Sequence, residues 1–235
     1  MAQAHTHTHN EKHFTASDII RDLIIGMSDG LTVPFALAAG IAGVAGAKTG
    51  LVITAGLAEI AAGSISMGLG GYLSAKSEMD LYDNEKLREE REVREVPDHE
   101  EEEIYEILAE YGVSREDGLP LMNALKKQPD KWVDFMMRFE LGMEKSDPRR
   151  SFYSAVTIGG SYVVGGFIPL LPYWFAPNVK DGLMYSCFAT LAALLVFGYF
   201  KGLYTSGKPV RSSIETMLIG SAAAAAAYGI AKLVS

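Results

Sequence analysis

The stretch IIRDLIIGMSDGLTVPFALAAGIAGVAG, residues 19–46, decides the fold. A helix of about 20 mostly apolar residues crosses the roughly 30 Å of a bilayer's hydrocarbon, and this stretch is long enough to do so. It nevertheless carries two acids, Asp22 and Asp29. A charge near the bilayer centre costs about 2.5–3.5 kcal/mol on insertion scales, so each needs a reason to be there. Seven residues apart, they share one helical face at depths differing by about 10 Å.

Four further stretches have the same character: residues 51–75, 152–174, 183–200 and 214–234. The second follows the first after a short connection near residues 47–50 and contains Glu59. Met67 lies eight positions on, on the same broad side of the helix. Gly40, Gly43 and Gly46 in the first span, Gly63, Ser66 and Gly70 in the second and the alanine run 222–227 in the fifth read as packing, since small residues let helix backbones approach closely. Pro34 in the first span, and Pro169 and Pro172 in the third, are points where a helix can break beside a cavity.

Between the second and third spans the composition inverts. Residues 76–150 hold 22 Asp and Glu against 13 Lys and Arg, while the whole chain of 235 residues nets −8, so the rest is close to neutral. The chain therefore divides into a polar tail at 1–17, expected to be disordered, spans one and two within 18–75, an acidic helical insert at 76–150, and spans three to five within 151–235. The fold class is an all-α polytopic membrane protein with five transmembrane helices and a helical domain between helices two and three. The acidic balance offers no basic patch for phosphates and argues against nucleic acid. The first apolar stretch is not followed by the small residues of a leader-cleavage site. Cys187, the single cysteine, reads as a buried inert thiol. His5, His7 and His9 could bind metal, though a disordered tail is the simpler reading.

Lys and Arg in short loops set the orientation. Lys201, Lys208 and Arg211 follow span four, Arg149 and Arg150 precede span three, and Lys12 and Arg21 stand at the N-terminal side of span one. The opposite side has only Lys48, Lys180 and Lys232. The N-terminus and the acidic insert are thus expected in the cytosol and the C-terminus in the lumen. Tyr173, Trp174 and Tyr204 fall where interfacial aromatics belong.

The second span is expected to run on as one helix to about Val96, some 70 Å in all, until Pro97 disfavours helix at the preceding residue. A helix over about 99–111 ends at Gly112, and another starts near Asp130 and reaches about Met143. Glu89 with Glu92, and Glu100 with Glu103, repeat an E-x-x-E spacing that stacks like charges on one face. A divalent cation would offset their repulsion, and Met136, Met137 and Glu140 could complete a partly soft site. The competing reading is a solvated acidic face neutralised by Arg88, Arg91 and Arg94, with the two methionines as core beside Trp132, Phe135 and Phe139. A ferritin-like di-iron site is disfavoured, because it uses E-x-x-H pairs and Val96, not Glu, stands three before His99.

In the spans, Asp29 and Glu59 have almost no Lys or Arg to pair with, leaving two readings. They are neutral carboxyls bonded to backbone, or they line a cation path and exchange protons for metal. Carboxylates accept any divalent ion, and a thioether at Met67 would favour iron over magnesium or calcium.

Three motifs resemble the vacuolar iron transporter family: IGMSDGLTVPFALAAGIAG at residues 25–43, EIAAGSISMGLGGY at 59–72 and SFYSAVTIGGSYVVGGFIPLLPY at 151–173. The similarity covers nearly everything from His13 onward. It implies a homodimer of five-span protomers in the vacuolar membrane, with an ion path between subunits. It implies Fe²⁺ as transported substrate, with Mn²⁺ or other transition metals as candidates, exchanged for H⁺. No enzymatic activity and no organic cofactor are implied. Carried over by motif, Asp29, Glu59 and Met67 match the membrane path, and Glu89, Glu92, Glu100, Glu103, Met136, Met137 and Glu140 match a cytosolic metal site. A passive divalent-metal channel and a membrane ferroxidase are the alternative readings.

Overall fold

A computed structural model describes residues 13–234. His5, His7 and His9 lie outside these residues. The described chain is helical, without strands: α1 (His13–Gly43), α2 (Thr49–Glu95), α3 (Pro97–Glu110), α4 (Arg115–Leu125), α5 (Pro129–Phe139), α6 (Arg150–Leu170), α7 (Pro172–Phe175), α8 (Val179–Thr205) and α9 (Pro209–Val234). Five stretches are long and apolar enough to cross a membrane: Ser17–Gly43, Thr49–Glu95, Arg150–Phe175, Val179–Thr205 and Pro209–Val234. Their outward side chains are large and apolar. Ile65, Phe188 and Ile219 are each about two-thirds or more exposed, a pattern that water would not tolerate but lipid requires.

The described chain forms two compact units, one of residues up to Tyr72 with those from Phe152 on, the other Leu73–Ser151. In the first, small residues set the packing. On α8 every fourth residue is buried, from Gly182 through Ser186, Thr190, Leu194 and Gly198 to Gly202. On α9 Ser212, Thr216, Gly220 and Ala224 repeat the same period. Two such rows let backbones meet closely, the usual way helices associate where lipid removes the hydrophobic drive. Polar groups along this seam find backbone acceptors, with Ser213 Oγ donating to the Leu195 carbonyl at 2.6 Å and Thr216 Oγ1 to that of Ser212 at 2.8 Å, whereas Thr190 Oγ1 is buried without a hydrogen-bond partner. Pro34 sits inside continuous α1 without breaking it, whereas Pro169 stands one residue before the end of α6 and Pro172 opens α7, so the third span is interrupted at Leu171. Ser186 Oγ donates to the Pro169 carbonyl at 2.7 Å.

Two expectations change. Tyr173 is buried rather than interfacial, its ring lying where a side chain on Gly182 would be, whereas Trp174 and Tyr204 are exposed. Cys187 is only partly buried and lines a small cavity with Phe35, Ala39 and Leu183.

The second unit holds the C-terminal part of α2, then α3, α4 and α5. Its core is Val93, Ile104, Tyr105, Met122, Leu125, Trp132, Val133, Met136 and Met137. Pro97 opens α3, where its missing N–H costs nothing. The unexpected helix is α4. Ser114 caps it by accepting a 3.2 Å hydrogen bond from the Asp117 N–H. Helix α5 stops at Phe139, short of the expected Met143, and Gly142 follows with φ 63°.

Candidate functional site

Glu59 and Asp29 sit in the first unit on α2 and α1, both half-buried. The element that joins them to the third span is Tyr162 of α6. Its hydroxyl donates to Glu59 Oε1, and Asp29 lies within electrostatic reach of the same hydroxyl. The ring is 2% exposed. It reaches Glu59 because Gly63, one helical turn after the acid, has no side chain: a Cβ there would stand 2.4 Å from the Tyr162 oxygen. On its other side α1 comes close through Gly30, where a Cβ would stand 2.4 Å from the Tyr162 carbonyl oxygen. Glycines thus clamp the tyrosine between two helices that each carry an acid.

The second carboxylate oxygen of Glu59, Oε2, is buried with no hydrogen-bond partner. A carboxylate inside a bundle retains such an oxygen only at a cost of about 1–3 kcal/mol or more. Glu59 also lines a cavity of about 680 Å³ whose other walls come from α1 and α9, among them Thr32, Ala36, Gly40, Ala223 and Ala227. Met67 is half-buried on α2, about 12 Å further along the helix axis at 1.5 Å per residue. Asp22 has a different character. It is 2% exposed, with Arg21 Nε 3.8 Å from its Oδ1, which marks it as a structural ion pair.

In the second unit, Glu89 and Glu92 come from α2, Glu100 and Glu103 from α3, and Glu140 from the residue that caps α5. Glu89 is 1% and Glu100 2% exposed, far from the solvated face that a charge run suggests. Glu100 Oε2 has no hydrogen-bond partner. Withdrawal from water, then repulsion from Glu103, Glu89, Glu92 and Glu140, pushes the Glu100 pKa up to about 7. Glu140, exposed as a whole residue, has its carboxyl partly screened from water. That loss of solvent comes first and the charges of Glu103, Glu89 and Glu92 follow, again giving about 7. Glu89 is raised for the same leading reason, against an opposing hydrogen bond from Arg88. The five carboxylates therefore belong to one electrostatic cluster drawn from three helices.

They do not form a closed shell. Among the described residues no three His, Cys, Asp or Glu side chains stand close enough to grip one ion as arranged. Met136 and Met137 are fully buried members of the hydrophobic core, in line with the packing alternative for these two residues. His99, set aside on sequence grounds, has Nε2 3.4 Å from Glu103 Oε1. Tyr162 is the residue that sequence reasoning missed. The available signal was a tyrosine in a Gly- and Ser-rich segment, opposite a glycine one turn beyond an intramembrane acid.

Five apolar helices with acids held inside them, and an acidic helical insert after the second, define a polytopic membrane protein with a polar site among its spans. The chain belongs to the VIT family, whose model matches residues 20–232. It is 58% identical over 226 residues to "Vacuolar iron transporter 1" of Arabidopsis thaliana, covering 96% of this chain and 90% of that one. It is 56% identical over 226 residues to "Vacuolar iron transporter 2" of Oryza sativa subsp. japonica, with 96% and 92% covered. It is 44% identical over 223 residues to "Protein CCC1" of Saccharomyces cerevisiae, with 92% and 69% covered.

Proposed function

We propose that this protein moves Fe²⁺, or a similar divalent transition metal such as Mn²⁺, from the cytosol into the vacuole in exchange for protons. The names of its relatives support iron and the vacuole. The observation that carries the path is Glu59: one oxygen held by Tyr162, the other unpartnered, on the wall of an open cavity between α1 and α9. A carboxylate so arranged can take a metal ion or a proton, and exchange follows if the two compete for it. Asp29 is the second station and Met67 a softer one about 12 Å along α2 from Glu59, toward the insert. The apolar, unpartnered faces of α1 and α9 around that cavity suit a second copy, which would close the path at a two-fold seam.

In this reading the insert lies in the cytosol, with the C-terminus in the lumen, as the Lys and Arg distribution favours. Glu89, Glu92, Glu100, Glu103 and Glu140 gather the ion, with the Met136 and Met137 thioethers as softer ligands. The unpartnered, buried oxygen of Glu100 supports metal binding here, because a ligand would satisfy it. Low lumenal pH then protonates Asp29 and Glu59 and frees the metal.

The test is uptake of Fe²⁺ into proteoliposomes with an acidic interior. Asp29→Ala is expected to lower the rate at least tenfold, whereas transport at the wild-type rate would remove Asp29 from the path.

A further inference from the structure

The acidic unit carries a cation of its own. Arg88, on α2, directs all three sides of its guanidinium at carboxylates. Nη1 lies 2.8 Å from Glu85 Oε2, Nη2 3.2 Å from Glu89 Oε1 and Nε 3.3 Å from Glu92 Oε2. Two of those three partners, Glu89 and Glu92, are residues assigned above to the metal site. Of the three contacts, the one to Glu89 has hydrogen-bond geometry, while Nε and Glu85 Oε2 are buried atoms without such a bond. The fork is therefore held largely by charge rather than by the paired, parallel hydrogen bonds that make an arginine–carboxylate contact strong. The Arg88 side chain is also 43% exposed, so it can leave toward water without repacking the core.

From this arrangement we propose that Arg88 is a built-in competitor for the metal site: it partly offsets the charge of Glu89 and Glu92 while no metal is bound, and an arriving divalent ion displaces it. The inference rests on the metal-site reading above. A divalent ion on the same oxygens and a guanidinium beside them repel each other, so occupancy by one excludes the other. Arg88 in this way weakens metal binding and sets the concentration at which the unit fills. A site meant to pass its cargo on gains from such a limit, because an ion held too tightly is not released. It also explains why no three acids converge as they stand: two of them are turned to the arginine.

The experiment is calorimetric titration of the detergent-solubilised full chain with Mn²⁺, comparing wild type, Arg88→Gln, Arg88→Lys, Arg88→Ala and the double variant Glu100→Gln with Glu103→Gln. Arg88→Gln is expected to bind Mn²⁺ about tenfold tighter or more. Arg88→Lys keeps the charge, loses the fork and should fall between. Millimolar guanidinium added to Arg88→Ala should weaken binding back toward the wild-type value. If Arg88→Gln binds equally or more weakly, with helical content unchanged by circular dichroism, Arg88 is not a competitor. If Arg88→Gln does not fold, equal binding by Arg88→Lys and wild type, with no guanidinium effect on Arg88→Ala, overturns the proposal. Failure of the metal-site reading looks different: the double variant would then bind like wild type, whatever Arg88 does.

Discussion

The hydroxyl of Tyr162 on α6 donates to Oε1 of Glu59 on α2, joining residues 103 positions apart in sequence. A hydrogen bond to a charged acceptor contributes about 1.5–3 kcal/mol, and more is lost when the acceptor is left buried and alone. Tyr162→Phe keeps the ring in its slot and deletes only the donor. Iron uptake is expected to fall at least tenfold, and thermal unfolding in detergent should drop by a few degrees at most, as the loss of one such bond dictates. Wild-type uptake by Tyr162→Phe would reduce the tyrosine to a packing residue.

Gly63 makes that contact possible. Gly63→Ala puts a methyl 2.4 Å from the Tyr162 oxygen and 2.5 Å from Cζ. The ring cannot back away freely, because its own backbone abuts Gly30. Overpacking of this kind costs about 1–3 kcal/mol, so both stability and uptake should drop. Gly70→Ala is the internal comparison: nothing lies within 4 Å of a Cβ there, and in a helix interior the change should be neutral or stabilising. Equal effects at the two glycines would contradict the clamp.

The spans were legible because lipid imposes length and apolarity together, a constraint that leaves a strong mark on a single sequence. Pro97 was legible as a helix boundary for a local reason, its missing N–H. Helix α4 was not, since Gly118 and Pro120 both read as breakers. It forms because Ser114 caps it and because Gly118 fits against Leu108 and Tyr105 of α3, a tertiary fact. The burial of Glu89 and Glu100 was likewise hidden, as an E-x-x-E pair on a water-facing helix has the same spacing. Tyr162 was hidden by distance along the chain.

Met136 and Met137 separate packing from ligation. Both are essentially inaccessible to solvent, so truncation of either to Ala should cost about 2–5 kcal/mol through the cavity left behind. Leu conserves volume and should cost less than about 1.5 kcal/mol. If the sulfurs are ligands, Met136→Leu with Met137→Leu keeps the fold and lowers affinity for Fe²⁺ more than for Mn²⁺, measured by anaerobic titration. Unchanged affinity for both metals would leave the pair as core alone.

Glu100 and Glu140 also give the metal-free protein a pH signature. Their pKa values of about 7 stand above the ordinary 4.5, so between those values the folded state holds protons that the unfolded state has released. Stability from this source is present at the acid end and is lost as pH rises through about 4.5 to about 7. Denaturation of the full chain in detergent, followed by Trp132 fluorescence in a Trp174→Phe background, should show the acidic unit weakening from about pH 5 to about pH 8. Added Mn²⁺ should reverse the trend, since metal takes the ionised carboxylates and expels their protons. A metal-free unit that strengthens as pH rises would contradict the burial of these acids.

Exchange of metal for protons at Glu59 is tested most directly by recording lumenal pH while Fe²⁺ enters proteoliposomes that are acidic inside. Wild type should raise the internal pH in step with iron uptake, and Glu59→Gln should do neither. Iron entry with no accompanying pH change, or undiminished entry through Glu59→Gln, would contradict the mechanism.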